Sequence, residues 1–215
     1  MIEQRTTDWF AARLGHVTAS RVSDVLAKTK TGPAASRANY AAQLVCERLT
    51  GTAEQGFTSA AMQHGIDNEA DARNLYAFDV GEDVAETGFV LHPRIEWSGA
   101  SPDGLVGSVG LVEIKCPNTA THIETLLNEA VPAKYLHQMQ WQMACCDRTW
   151  CDYVSFDPRL PADLRLFVKR VERDDALIAD MEREVATFLG EVADTVKRLQ
   201  NRNARSEPLP ITFAV

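Results

Sequence analysis

No stretch of the sequence approaches the roughly 18 consecutive apolar residues of a membrane span, and the opening MIEQRTTDWF lacks the apolar run of a signal peptide. These absences predict a cytoplasmic protein with no membrane partner. Cysteine is scarce: Cys46, Cys116, Cys145, Cys146 and Cys151 are odd in number and irregularly spaced, which argues against a disulfide framework. No CxxC occurs, and Cys145 and Cys146 are adjacent, so one helix face cannot present both to an iron–sulfur cluster. Buried, inert thiols are the simpler reading. Positive charge is also short, with 22 Lys and Arg against 30 Asp and Glu and a net charge of −8. Taken alone, that deficit counts against nucleic acid as a partner. Internal repeats, low-complexity tracts and a convincing linker are missing too.

What remains is a chain of 215 residues, 45% hydrophobic and 24% charged, long enough to bury a substantial core. It is most simply one domain over residues 1–215. Charge is spread unevenly along it. Residues 1–50 carry seven Lys and Arg against four Asp and Glu, whereas residues 51–110 are strongly acidic. A basic front before an acidic middle suits a protein that holds phosphates in one place and cations in another. Ordinary solvated surface charge fits the same pattern.

The element pattern begins with helices. Asp8 is placed to cap a helix through Leu14, and Thr18 or Ser20 to cap a second reaching about Ala27. Helical spacing recurs from Ser36 to Gly51 and from Ser59 to about Phe78, ending near Gly81. The rhythm then changes to short strands at Val84–Leu91, Glu96–Ala100, Gly104–Val106 and Leu111–Cys116. Helices follow near Thr121–Glu129 and Pro132–Cys146, with proline in the first turn of the latter. Strands at Thr149–Phe156 and Leu164–Val171 precede an amphipathic helix from Asp174 to about Arg202. The tail SEPLPITFAV reads as irregular, or as an arm for a neighbouring subunit. This order predicts a mixed α/β, α+β-like layered fold around a central sheet.

The stretch SPDGLVGSVGLVEIKCP, Ser101 to Pro117, places charge where a strand should be apolar. Alternate side chains of a strand share a face, so Glu113 and Lys115 point together while Val112, Ile114 and Cys116 point the other way. If GSVG closes a hairpin, Asp103 lies beside Glu113 on the neighbouring strand. Two converging carboxylates repel unless a cation lies between them, and oxygen donors without His or Cys suit Mg²⁺ or Mn²⁺. Lys115 would then orient, or help deprotonate, an attacking water. A turn Asp plus a cross-strand salt bridge is the plainer alternative.

The stretches VTAS, GIDNEADAR, SPDGL, EIKCP and HQMQWQM resemble those of the lambda-exonuclease/YqaJ-type viral recombinase nucleases of the PD-(D/E)xK superfamily. The similarity runs in order from about Trp9 to Asp157. It implies a restriction-endonuclease-like core with a central mixed sheet flanked by helices. It also implies two Mg²⁺ ions, for which Mn²⁺ would substitute, held by Asp103, Glu113 and the main-chain carbonyl of Ile114. Glu69 in GIDNEADAR would complete the site indirectly, although it is also placed to pair with Arg73 at i+4. Lys115 matches the catalytic lysine of the family and Gln138 its polar helical residue, while Gln140 points elsewhere. His137 departs from the pattern and reads as a surface or DNA-adjacent residue. Arg13 and Ser20 in RLGHVTAS match residues that grip a 5′-terminal phosphate. A helix start and a guanidinium suit that task, although Ser20 or Thr18 would serve equally as a plain helix cap. His16, Arg21, Lys28, Lys30 and Arg37 are looser candidates for backbone contact.

The function that this resemblance implies is Mg²⁺-dependent 5′-to-3′ exonucleolytic digestion of double-stranded DNA ends. The resulting 3′ overhangs would pass to a single-strand annealing recombinase. The resemblance further implies a ring-shaped homotrimer in the cytoplasm of a bacterial host, encoded by a phage or prophage. The alternatives are another PD-(D/E)xK endonuclease or single-strand exonuclease, and a non-catalytic DNA-end-binding module.

Overall fold

A computed structural model describes residues 3–30, 32–53 and 59–204. The chain opens with α1 (Thr7–Arg13), β1 (Val17–Thr18), a 3-10 turn (Ala19–Arg21) and α2 (Val22–Leu26). A small hairpin of β2 (Lys28–Thr29) and β3 (Gly32–Pro33) leads to α3 (Ala35–Thr50) and α4 (Ala60–Val80). Strands β4 (Val84–Ala85), β5 (Val90–Leu91), β6 (Ser98–Ala100), β7 (Gly104–Val106) and β8 (Gly110–Lys115) come next. The remainder is α5 (Thr119–Asn128), α6 (Ala133–Cys146), β9 (Trp150–Phe156), β10 (Leu166–Glu172) and α7 (Asp175–Ala204).

The fold is mixed α/β. Its central sheet has the order β10-β9-β8-β7-β4. β8 runs parallel to β9, and the other neighbours pair antiparallel. Strand β8 sits in the middle of this sheet with a helix against each face. On one side Val112, Ile114 and Cys116 pack with Ala72 and Tyr76 of α4. On the other, Leu111, Cys151 and Tyr153 pack with Met139 and Met143 of α6. A second sheet, β1-β6-β5, adjoins a core built from α2, α3, α6 and α7, including Val22, Leu44, Trp141, Val185 and Phe188. Among the described residues no helix is long and apolar enough to cross a membrane.

Several expected boundaries shift for local reasons. Thr6, not Asp8, caps α1 by accepting from the Trp9 amide, and Asp8 lies in the first turn, where its charge favours the helix dipole. Thr18 occupies the cap position of the 3-10 turn without a side-chain cap bond, so neither it nor Ser20 is the expected cap. The span Val84–Leu91 is not one strand: Ala85 pairs with Leu105 in the central sheet and Val90 with Ala100 in the other. The strand expected from Glu96 begins at Ser98 because Trp97 holds a φ of 62°, a left-handed conformation that no strand accommodates. Asn118 caps α5, and Pro132 precedes α6 at its cap position instead of lying in its first turn. Ser59 and Gly81 bound α4 as expected. The tail from residue 205 lies outside the described residues.

Close packing at one sheet position yields a stability test. A Cβ on Gly110 would lie 2.2 Å from the Trp150 ring. That ring is backed by the Arg170 guanidinium at 3.5 Å, itself bound to Asp152. Gly110→Ala is therefore expected to destabilise the protein by about 1–3 kcal/mol in urea unfolding, the usual cost of overpacking. A loss under about 0.5 kcal/mol, the scale of a neutral surface change, would mean that the ring yields freely.

Candidate active site

The antiparallel pairing of Gly104 with Val112 carries Asp103, one residue before β7, to a position beside Glu113. Asp103 Oδ2 accepts the Ile114 amide at 2.7 Å, which fixes the turn carboxylate to the strand. Glu113 is 0% exposed on the face covered by α6. Its Oε1 accepts from Gln138 Nε2 at 2.5 Å and pairs with Lys115 Nζ, while Oε2 accepts from Gln142 Nε2 at 2.5 Å. The ammonium of Lys115 also lies 5.4 Å from the centroid of Tyr135, which stacks on Tyr153. Thus Asp103, Glu113, Lys115 and Gln138 converge, with Glu113 and Lys115 on one face as the alternation of β8 predicts.

Charge in this cluster is unbalanced. Burial, the Glu113 carboxylate and Glu69 push the Asp103 carboxyl well above its ordinary range, against the lowering influence of Lys115 and the Ile114 amide. Burial would lower the Lys115 amine, but Glu113 and Asp103 outweigh it, so the group is raised and held as the ammonium. A buried carboxylate and a half-buried one, with Lys115 paired to Glu113 and no histidine between them, fit a hard divalent cation. Among the described residues no three His, Cys, Asp or Glu side chains group closely enough to hold a metal. A cation here would thus rest on two carboxylates and main-chain oxygen. That finding also leaves no clustered cysteine ligands. Cys116, Cys145 and Cys151 are buried, whereas Cys46 is exposed, which corrects its expected burial.

Glu69 on α4 stands just outside. It pairs with Arg73 at 2.9 Å and with Arg5, so the expected i,i+4 pair is present. Arg73 also donates Nε to the Asp103 carbonyl at 3.0 Å, tying Glu69 to the turn through one guanidinium.

Arg13 lies next to the cluster. Its Nη1 donates to Ser101 Oγ at 3.0 Å, and its guanidinium stacks 4.1 Å from the Trp9 centroid, whose indole N–H donates to the same hydroxyl. Burial lowers Arg13 to about 10, partly opposed by Tyr40, so it stays cationic at neutral pH. A cavity of about 150 Å³ is lined by Arg5, Arg13, Ser20, Ser101, Asp103 and Gln138. A neighbouring cavity of about 280 Å³ shares Arg13 and Ser20 and adds Thr18, His16 and Phe10. Thr18 and Ser20 hydroxyls lie 3.3 Å apart. His16 hydrogen-bonds the Leu14 carbonyl and packs on Trp97, and burial lowers its pKa.

A family model for a YqaJ-like viral recombinase domain matches residues 8–149. The chain belongs to this family. It is 55% identical to an alkaline exonuclease from Laribacter hongkongensis, LHK-Exo, across 93% of this chain and 99% of that one, with a TM-score of 0.87. The structure of LHK-Exo in complex with dAMP is similar at a TM-score of 0.88, with the same identity and coverage. A phage-related exonuclease from Haemophilus somnus 129PT shares the fold at 17% identity and a TM-score of 0.69, across 86% of this chain and 96% of that one. The chain shows no significant match to a curated protein sequence.

Within this YqaJ-like domain the looser basic candidates are largely occupied. Lys28 pairs with Glu184 and Arg37 with Glu191 on α7, while Arg21 binds Asp24 and Gln43. His137 is half-buried and bonded to Ser23 Oγ at 3.2 Å, not a free surface residue. Gln140 instead secures Glu172 and Asp174. Ser101, Arg5 and Gln142 escaped the sequence reading, as did the bond from Arg73 to the Asp103 carbonyl. The i,i+4 relation of Gln142 to Gln138 was the signal available for one of them.

The raised carboxyl of Asp103 gives a pH dependence. Its folded value exceeds the ordinary 3.8, so the folded state binds the proton more tightly than the unfolded chain does. In chelator its contribution favours folding at acid pH and is lost as pH rises through the folded value. Asp103→Asn keeps an acceptor for the Ile114 amide and removes the charge. The thermal midpoint of Asp103→Asn should exceed that of the unsubstituted protein by a gap that widens between about pH 4 and about pH 8. A gap that narrows over that range would contradict the assignment.

Proposed function

We propose that this YqaJ-like protein is a divalent-cation-dependent exonuclease that digests one strand of duplex DNA from its 5′ end. The observation that carries the reading is the continuity of a candidate phosphate clamp with one carboxylate of the pair: Arg13, Ser20 and Ser101 line the same cavity as Asp103 and as Gln138, the partner of Glu113. The 55% identity to LHK-Exo, an alkaline exonuclease, supports the activity, and the dAMP complex of that relative is compatible with mononucleotide release.

In this reading Asp103, Glu113 and the Ile114 carbonyl hold the cation, Mg²⁺ with Mn²⁺ as substitute, and Glu69 assists indirectly near a second ion. A cation bound there supplies Lewis-acid stabilisation of the charge that builds on the scissile phosphate. Lys115 orients the attacking water through its N–H donors. Gln138 steadies Glu113. Arg13 and Ser20 hold the terminal phosphate, so the register of cutting follows the end and not the base sequence. Thr18 and His16 line the adjoining cavity and contact the end from there. The net charge of −8 disfavours a purely Coulombic hold on DNA. A ring-shaped homotrimer would replace affinity with topology, and an annealing recombinase would take the 3′ overhang.

Comparison of 5′-phosphorylated linear, 5′-hydroxyl linear and circular duplexes, with and without Mg²⁺, tests this directly. Linear duplex should be degraded only with the ion, and circles should stay intact. Lys115→Ala should lower the rate by about 10²–10⁴-fold while DNA binding survives, and Arg13→Ala should erase preference for the phosphorylated end. Cutting of circles, or a full rate in Lys115→Ala, would overturn the proposal.

A further inference from the structure

Every donor that grips Glu113 can be assigned to one of its two oxygens. A carboxylate offers about four lone-pair directions. Oε1 is occupied by Gln138 and Lys115, and Oε2 by Gln142, each amide contact at 2.5 Å. One direction is left, on Oε2. The two glutamines lie one helical turn apart on α6 and hold opposite oxygens of the same group, so rotation of the carboxylate would break both bonds. Gln142 is itself 0% exposed. Its orientation is fixed by chemistry, since a carboxylate only accepts and the amide NH₂ must face it. Its Oε1 then turns to the Cys151 thiol, at 4.0 Å.

We propose that Gln142 is a positioning residue that limits Glu113 to one-oxygen ligation and so sets the ion preference of the site towards Mg²⁺ and away from Ca²⁺. The proposal rests on the reading of Asp103 and Glu113 as cation ligands. Its physical basis is the contrast between the ions. Mg²⁺ demands near-octahedral geometry from single oxygens, whereas Ca²⁺ accepts both oxygens of one carboxylate in flexible arrangements. A clamped carboxylate with one open lone pair favours the first and penalises the second. Releasing Oε2 would let the group swing to present both oxygens.

The test uses the full-length protein without DNA. Bound Mn²⁺ is followed by electron paramagnetic resonance while Mg²⁺ or Ca²⁺ is titrated in as competitor, for the unsubstituted protein and Gln142→Met. The substitution should reduce the Mg²⁺-over-Ca²⁺ preference by about tenfold, the lower end of what loss of a ligand-orienting partner costs. An unchanged ratio in Gln142→Met would overturn the role of Gln142, and a purely structural role would leave the ratio alone. If Gln142→Met does not fold, Gln142→Asn, whose amide falls one methylene short of Oε2, carries the same expectation and the same refutation. Absence of Mn²⁺ binding by the unsubstituted protein would instead remove the carboxylate-pair reading beneath it.

Discussion

Asp103 and Glu113 carry like charge on adjoining backbone segments, and the register of β7 against β8 forces them together. The cost of that arrangement explains much of what surrounds it. Lys115 shares the strand face and pairs with Glu113, the Ile114 amide takes Asp103, and two glutamines of α6 hold the two oxygens of Glu113. A buried charge is tolerable only when paired and hydrogen-bonded. Here the pairing is one positive group short, which is the condition under which a divalent cation binds most favourably.

The sheet supplies the rigidity this requires. Strand β8 is central, paired on both edges and covered on both faces, so its alternation has two purposes. Val112 and Ile114 lock it against α4, and Leu111 packs towards α6 beside the charged groups. Placing Glu113 and Lys115 on a strand, and not on a loop, holds their spacing within the tolerance of the hydrogen bonds. The opposite end of the candidate site is built differently. Arg13 and Ser101 come from a short helix and a turn, and their contact is a single guanidinium–hydroxyl bond backed by an indole.

The charged face of β8 was legible in the sequence because a period of two determines which residues share a side. Asp103 followed from the turn, and Gln138 from family resemblance. The helices bounded by Ser59, Gly51 and Gly81 were legible through their end signals. Less local features were not. Nothing in Val84–Leu91 tells that its two ends enter different sheets, because that depends on pairing partners far along the chain. The left-handed Trp97 has no sequence signature, since the conformation is unusual for a bulky residue. The i,i+4 pair of Arg73 with Glu69 was legible, but the reach of Arg5 to Glu69 and that of Arg73 to the Asp103 carbonyl are tertiary contacts that no spacing rule contains. Nor does the sequence show that Lys28 and Arg37 pair with Glu184 and Glu191 of α7.

The account depends most on a cation seated between the two carboxylates. Crystals grown with Mn²⁺ and measured at its absorption edge test that claim without reference to catalysis. An anomalous peak within coordination distance of Asp103 and of Glu113 Oε2 is the predicted result. No peak there at saturating Mn²⁺, with Lys115 still paired to Glu113, would contradict it.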